Sequence, residues 1–231
     1  MTMNRRDFLR MSAALTAAGM SPSLFAATKE QFTIYGAPAM PSVTIAVAAA
    51  QGKLAKQADV ALEIWRSPDQ LRAGVASGQF KVMMSPSNVG VNLRNQGQQV
   101  GMVNILTNGI TQLMCKSTPI TSPQELVGKK ILVPFKNDMP DIVLQALLKK
   151  LNIDINKMEI TYAATPTEAI GLFLLKDFHA AILPEPMASA VVLKAKIVGT
   201  EIVRGFDLVK EWGQAFNTKP LIPMAGIIAN E

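Results

Sequence analysis

The sequence predicts an α/β protein built as two lobes, each a mainly parallel sheet flanked by helices, with a cleft between them. Three observations carry this prediction. The chain repeats itself: Ser67-Pro68-Asp69-Gln70 returns 98 positions later as Thr165-Pro166-Thr167-Glu168, Phe80 meets Phe178 and Pro86 meets Pro184 at that offset, and Met40-Pro41 falls on Met139-Pro140 at an offset of 99. Self-similarity at a fixed long period marks a duplicated unit, and a one-residue slip is what a loop insertion produces. Within each copy, strand-like and helix-like patterns alternate, which implies parallel strands joined by crossover helices. The third observation is composition: 231 residues, 49% apolar and 17% charged, can bury a real core and exclude the disordered class.

Residues 1–27 stand apart from the fold. Asn4-Arg5-Arg6-Asp7-Phe8-Leu9-Arg10 is followed by a mild apolar run from Met11 to Phe25 and by Ala26-Ala27. A charged start, an apolar middle and a small-residue end describe an export segment, and the paired arginines followed by Phe-Leu resemble a twin-arginine signal. Cleavage is expected near Ala26 or Ala27, and the mature protein is expected in the periplasm. Lobe 1 is expected over residues 28–107, lobe 2 with the hinge crossover over 108–220, and a return crossing toward lobe 1 over 221–231.

In the first copy Gln31–Tyr35, Val60–Trp65 and Phe80–Met84 read as strands, with helices from Pro41 to about Lys56 and over Pro68–Ser77. The second copy repeats that order: strands Lys130–Phe135, Met158–Tyr162 and Phe178–Leu183, helices Pro140–Leu151 and Pro166–Leu175. Leu144, Leu147, Leu148 and Leu151 form an apolar stripe at helical spacing, with Lys149 and Lys150 turned outward. Ser67-Pro68-x-Gln70, Ser122-Pro123-x-Glu125 and Thr165-Pro166-x-Glu168 read as capping boxes with Pro at the first helical position. Val100 to Ser117 reads as the connection between lobes, with Asn108-Gly109 a turn, and the apolar run Ile222–Ala229 as the return crossing.

Several functions are excluded by composition. A single cysteine, Cys115, cannot form an internal disulfide, and with one histidine there is almost nothing from which to build a Cys/His metal site. The formal charge is +6; three Arg and one Asp precede residue 28, leaving 20 basic against 16 acidic side chains, or +4. The lysines are scattered with no aromatic-interleaved stripe, so nucleic-acid binding is not expected. GxSxG, HExxH, P-loop and GxGxxG sequences do not occur. His179, in a strand beside Phe178, reads as a packed or edge histidine, and Cys115 as a small buried hydrophobe.

The stretch from Pro123 to Ala188 carries Glu125-Leu126-x-Gly128-Lys129-Lys130-Ile131, a helix ending near Leu151-Asn152-Ile153, then Thr167-Glu168-Ala169 and the run Ala180 to Pro186. It resembles the second lobe of periplasmic substrate-binding proteins of ABC importers, of the nitrate/sulfonate/taurine and thiamine-precursor type. Ala73–Val82 is similar to the corresponding part of their first lobe. The resemblance implies a type 2 periplasmic-binding fold that closes around a small molecule and delivers it to a membrane permease. It also implies further C-terminal helices completing lobe 1, which are expected to be missing beyond Glu231.

In such a fold ligands sit beyond the carboxyl ends of the parallel strands, where helix N-termini point. The candidate ligand-binding residues are therefore Ala37, Met40 and Ser42 after the first strand, with Pro38 and Ala39 between them, and Ser85, Ser87 and Asn88 after the third. Asn137, Asp138 and Met139, then Glu185 and Met187, are the candidates from lobe 2. Asn108 and Thr111 are added from the hinge and Met224 from the return crossing. For each polar residue a cap or turn role is the other reading. Glu185 is favoured as a ligand contact because a carboxylate between two prolines has little evident local use and matches the family's Glu-Pro segment. Met40, Met139, Met187 and Met224 suit an apolar ligand face, or else fill gaps in the core. The ligand is expected to be organic, a sulfonate, nitrogen-containing or pyrimidine-like compound with an apolar part and a polar or charged end. Neither a metal, a cofactor nor catalysis is expected, and the partners are the small-molecule ligand and an ABC permease, the protein itself a monomer. A two-lobed sensory protein for a membrane partner is the main alternative, and a catalytic relative of pyrimidine-synthesising enzymes the third.

Overall fold

A computed structural model describes residues 31–231 apart from 54, 56 and 57, so the export segment lies outside the described residues. Strand β1 (Gln31–Gly36) leads through α1 (Pro41–Ala50) to β2 (Asp59–Ile64), then α2 (Pro68–Ala76), β3 (Val82–Pro86), α3 (Ser87–Asn95) and β4 (Val100–Asn108). After β5 (Thr111–Lys116) come β6 (Lys130–Pro134), α4 (Met139–Lys150), β7 (Glu159–Ala163), α5 (Pro166–Leu175), β8 (Ala180–Pro184) and α6 (Met187–Ile197). Strand β9 (Ile202–Arg204), α7 (Leu208–Phe216) and β10 (Pro223–Asn230) complete the chain.

These strands form two sheets of five, ordered β2-β1-β3-β10-β4 and β7-β6-β8-β5-β9. In the first, β1 runs parallel to β2 and β3; in the second, β6 runs parallel to β7 and β8. The repeat seen in the sequence is thus a repeat of β-α-β-α-β units. The fourth strand of each sheet is antiparallel: β10 beside β3, and β5 beside β8.

Strand alternation builds the cores. In the second sheet Ile131, Val133, Leu113 and Ile182 pack on one face with Leu144, Leu147 and Leu148 of α4. Leu132, Met114, Ala181 and Leu183 pack on the other with Phe173 of α5 and Val191 of α6. Successive side chains point to opposite faces, and helices cover both, so the central strands are continuously apolar. Ile34, Leu71, Phe80, Met83, Met84 and Ile228 play the same part in the first sheet.

Local chemistry sets the element ends. Ser67 and Thr165 accept from the N–H groups of Gln70 and Glu168, while Gln70 and Glu168 reach back to the N–H groups of Arg66 and Ala164. Pro123–Leu126, predicted as a third boxed helix, is a single 3-10 turn; Glu125 still accepts from Thr121 and Ser122, but no apolar stripe follows to extend it. Helix α1 stops at Ala50 rather than near Lys56, because Gly52 turns left-handed (φ +65°) and Lys53 N–H bonds back to the Ala48 carbonyl. Helices α3, α6 and α7 add to the elements predicted.

The first sheet takes its antiparallel fourth strand, β10, from beyond the second lobe, whose own strands β5 to β9 are contiguous. The chain leaves β4 of the first sheet at Asn108 and enters β5 of the second at Thr111, then returns along Leu221 and Ile222 into β10. The two crossings touch: Gly109 N–H donates to the Ile222 carbonyl at 2.9 Å. Gly109 has φ +57°, and a Cβ there would lie 2.2 Å from Val209 Cγ2. Both the conformation and the space demand glycine. Gly109→Ala is expected to destabilise the protein by about 1–3 kcal/mol, the cost of a strained left-handed residue, read as a lower midpoint in urea unfolding.

Candidate functional site

The carboxyl ends of the parallel strands from both sheets converge on one cleft of about 570 Å³, a volume that includes the solvent at its mouth. Lobe 1 supplies Ala37, Pro38, Ala39 and Pro41 after β1, Trp65 after β2 and Pro86 at the end of β3. Lobe 2 supplies Phe135 after β6, Met139 and Pro140 at the start of α4, Pro166 at the start of α5, and Pro184 at the end of β8. Ile110, Thr111, Met224 and Ala225 of the two crossings form the floor. Trp65, 3% exposed, is locked in place: its Nε1–H donates to the Met84 carbonyl at 2.9 Å and its backbone N–H to Gly36.

Two left-handed residues that are not glycine, Phe135 (φ +58°) and Asn137 (φ +60°), stand on the loop between β6 and α4. Such conformations persist only where surrounding bonds over-determine them. Phe135 N–H is held by Ala163, and Asn137 N–H by Asp141, a fully buried carboxylate that also accepts from Gln145 and Tyr162. The strain presents Phe135 to the cleft and Asp138 to the other lobe.

Asp138 is 2% exposed and makes the polar contact across the lobes. Its Oδ1 accepts from Asn88 Nδ2 of lobe 1 and from Met139 N–H, each at 3.0 Å. Its Oδ2 has no hydrogen-bond partner; Arg72 Nη2 of lobe 1 stands 3.6 Å away, close enough for charge attraction but beyond hydrogen-bond reach. Asn88 Oδ1, on the same pair, is also buried and unpartnered. Burial pushes the Asp138 carboxyl above the ordinary carboxylate value, and the Asn88, Met139 and Arg72 contacts only partly offset this. Beside it, Ser87 donates to the Pro223 carbonyl at 2.7 Å and approaches Met139 Sδ at 3.7 Å.

Of the residues expected from sequence to touch ligand, Ala37, Met139, Met224 and Thr111 stand on the cleft wall. Ser42 and Ser85 are buried behind it, donating to the Ala37 and Pro86 carbonyls. Ser87, Asn88, Asn137 and Asp138 serve the lobe interface and its loop, and Asn108 ends β4 opposite Pro223. Met40 is 44% exposed, and Met187 packs on the second lobe's core, so neither lines the cleft. Sequence reasoning missed Trp65 and Phe135. Both follow the last residue of a parallel strand, and that position was their available signal.

Glu185 requires a correction: it has two local uses and lies off the cleft wall. Its Oε1 pairs with Arg204 Nη2 at 2.6 Å and its Oε2 accepts from Ser189 N–H at 3.1 Å, closing the first turn of α6. Burial raises its carboxyl, but the bonds from Arg204 and Ser189 outweigh that and hold it below the ordinary value. His179 is equally structural, its Nδ1 accepting from Lys130 N–H at 3.1 Å, and Cys115 lies in the core with its thiol pushed up by burial. Among the described residues no cluster of three His, Cys, Asp or Glu could hold a metal ion, and no helix is long and apolar enough to cross a membrane.

Solved structures share this architecture. The periplasmic aliphatic sulphonate binding protein SsuA from Escherichia coli, 15% identical, superposes with a TM-score of 0.67 over 87% of this chain and 65% of its own. The chain thus spans about two thirds of that protein's length. The alkanesulfonate-binding protein SsuA from Xanthomonas axonopodis pv. citri, in a structure bound to MOPS, is also 15% identical, with a TM-score of 0.63 over 89% of this chain and 67% of its own. A histidine kinase sensor domain similar to periplasmic binding proteins, 12% identical, gives 0.57 over 88% and 84%. No curated protein matches the sequence. Two mixed sheets joined by paired crossings, as in these neighbours, define the class as a two-lobed periplasmic-binding-protein fold of type 2. The sequence narrows it further: the family described as NMT1/THI5 like matches residues 40–221, and the chain belongs to that family. A twin-arginine translocation signal matches residues 2–22 and directs the chain to the periplasm.

Asp138 and Glu185 titrate with opposite consequences for stability. A carboxyl whose folded pKa is raised contributes stability that is present at acid pH and lost as pH rises through that pKa; one whose folded pKa is depressed contributes stability lost as pH falls through it. A proton on Asp138 also supplies the donor that its Oδ2 and Asn88 Oδ1 both lack. Asp138→Asn is therefore expected to unfold at higher urea than the parent at neutral pH and to lose the parent's acid-side gain. Glu185→Gln is expected to be weaker than the parent at neutral pH and to converge with it in acid. Urea unfolding of all three proteins across the acidic range checks both signs.

Proposed function

We propose that this protein captures a small organic molecule between its lobes in the periplasm and hands it to an ABC-type membrane importer. The observation that carries the reading is the cleft itself: strand ends from two duplicated sheets meet there, and a fixed, buried Trp65 faces Phe135 and Met139 from the opposite lobe. Two lobes connected only through side-by-side crossings can hinge, and a ligand that touches both walls favours the closed arrangement. Family membership and the export signal support the transport role. Of the sulfonate, nitrogen-containing and pyrimidine-like classes expected from sequence, the wall favours those with an apolar or aromatic surface, since apart from Thr111 its lining residues are Pro, Ala, Ile, Met, Trp and Phe.

Native mass spectrometry of the protein purified from its own periplasm is expected to show a bound small organic molecule. Trp65→Ala, verified as folded by circular dichroism, is expected to weaken binding of that molecule at least about thirtyfold, the loss typical of a buried aromatic anchor. The loaded protein is expected to stimulate ATP hydrolysis by its permease complex in nanodiscs; a loaded protein that stimulates a histidine kinase instead would sink the import half of the reading. Unchanged affinity in Trp65→Ala would remove the cleft as the binding site.

A further inference from the structure

We propose that the cleft takes an uncharged, predominantly apolar ligand carrying a single hydrogen-bonding group, which meets the hydroxyl of Thr111. This rests on the solute-binding reading above and narrows its ligand class. The ligand is thus set apart from an anion such as a sulfonate.

The first observation is that no charged side chain lines the cleft. Thioethers aside, the polar side-chain atoms on its wall are the Trp65 indole N–H, already given to the Met84 carbonyl, and the Thr111 hydroxyl. Burying an ion against such a wall without a partner costs several kcal/mol, so the wall discriminates against charge of either sign.

The second is that several donors at the helix N-termini, the usual means by which a cleft of this geometry attracts an anion, are already in use. At α1, Pro41 has no N–H, and the N–H groups of Ser42 and Val43 are given to the carbonyls of Ala39 and Met40. In lobe 2 the chain places its own carboxylates at the helix starts: Asp138 takes Met139 N–H at α4, Glu168 takes Ala164 N–H beside α5, and Glu185 takes Ser189 N–H at α6. An incoming anion would find these donors spent and carboxylate groups close by.

The third is an orphan. Thr111 is 3% exposed, stands on the floor of the cleft where the first crossing enters β5, and its Oγ1 is buried without a hydrogen-bond partner. Its strand neighbour in the register is Pro184, which has no N–H to offer. Buried hydroxyls in native proteins are nearly always partnered, and one ligand donor or acceptor would complete this one.

Trp65 provides the readout. In a Trp212→Phe background the remaining indole sits on the cleft wall, and its fluorescence is titrated with three probes that share one phenyl ring: benzyl alcohol, toluene and benzenesulfonate. Benzyl alcohol is expected to bind at least about tenfold more tightly than benzenesulfonate. Thr111→Val, which keeps the shape and removes the hydroxyl, is expected to weaken benzyl alcohol about threefold to tenfold, the range of one neutral hydrogen bond, and to leave toluene unchanged; Thr111→Ser is expected to restore the alcohol's affinity. Benzenesulfonate binding as tightly as the alcohol overturns the charge argument, and an equal loss for alcohol and toluene in Thr111→Val overturns the assignment of the hydroxyl. No response to any probe also overturns this inference. The underlying reading is judged separately from a solvent extract of the periplasmic protein: a recovered small molecule of any charge preserves solute binding while an anionic one ends the proposal made here.

Discussion

The hydrogen bond from Gly109 to Ile222 joins the two strands on which everything else in the molecule depends. The first sheet is completed by a strand that arrives from beyond the second: the chain passes from β4 into β5, builds the second sheet, and only then returns as β10 between β3 and β4. The first lobe therefore cannot finish its sheet until the chain has returned from the second, whose own five strands are contiguous in sequence. The arrangement also fixes where flexibility can lie. Sheets paired along whole strands resist bending, whereas two short adjacent crossings offer a hinge at Asn108–Ile110 and Leu221–Ile222.

Because the crossings run along the floor of the cleft, the same residues that connect the lobes also meet whatever sits between them. Ile110 is at once hinge and wall, and Thr111, Met224 and Ala225 stand on the wall in the strands that the crossings feed. Any ligand resting on them senses the angle between lobes directly, with no intermediate element needed to pass the information on. Phe135 and Met139 then descend from lobe 2 on a strained loop whose geometry is held by buried Asp141, not by the ligand. The wall is consequently pre-formed, which spares a small molecule the cost of ordering it.

The architecture was legible in the sequence to the extent that it rests on local chemistry. Pro166–Leu175 begins and ends where its capping box and apolar pattern place it, and the parallel strands are shifted by no more than two residues, except for the end of the helix stopped by Gly52. Helix α3 was illegible because Ser, Asn and Gly are weak helix formers; Val89 and Leu93 hold it by tertiary packing in the lobe 1 core. The role of Glu185 was hidden for a related reason. Arg204 lies 19 residues further on, and only the pairing of β9 with β5 brings it alongside. Polar residues were read as ligand contacts because polar atoms usually specify; here Ser42 and Ser85 bond to the protein's own carbonyls and Asn88 bonds Asp138, and long-range geometry decides that.

This division between polar and apolar groups has a mechanical meaning. An apolar ligand supplies contact between the lobes but little directionality, since dispersion and burial are indifferent to a few degrees of rotation. Directionality has to come from elsewhere. Asp138 with Asn88 and Arg72, together with Ser87 beside the Met139 sulfur, form short-range contacts that are met in one relative orientation and lost in others. The carboxylate oxygen left without a hydrogen bond keeps this latch from holding the lobes strongly by itself, because its burial cost offsets part of what the Asn88 bond contributes. On the proposed reading, contact energy is left to the guest and orientation to the protein.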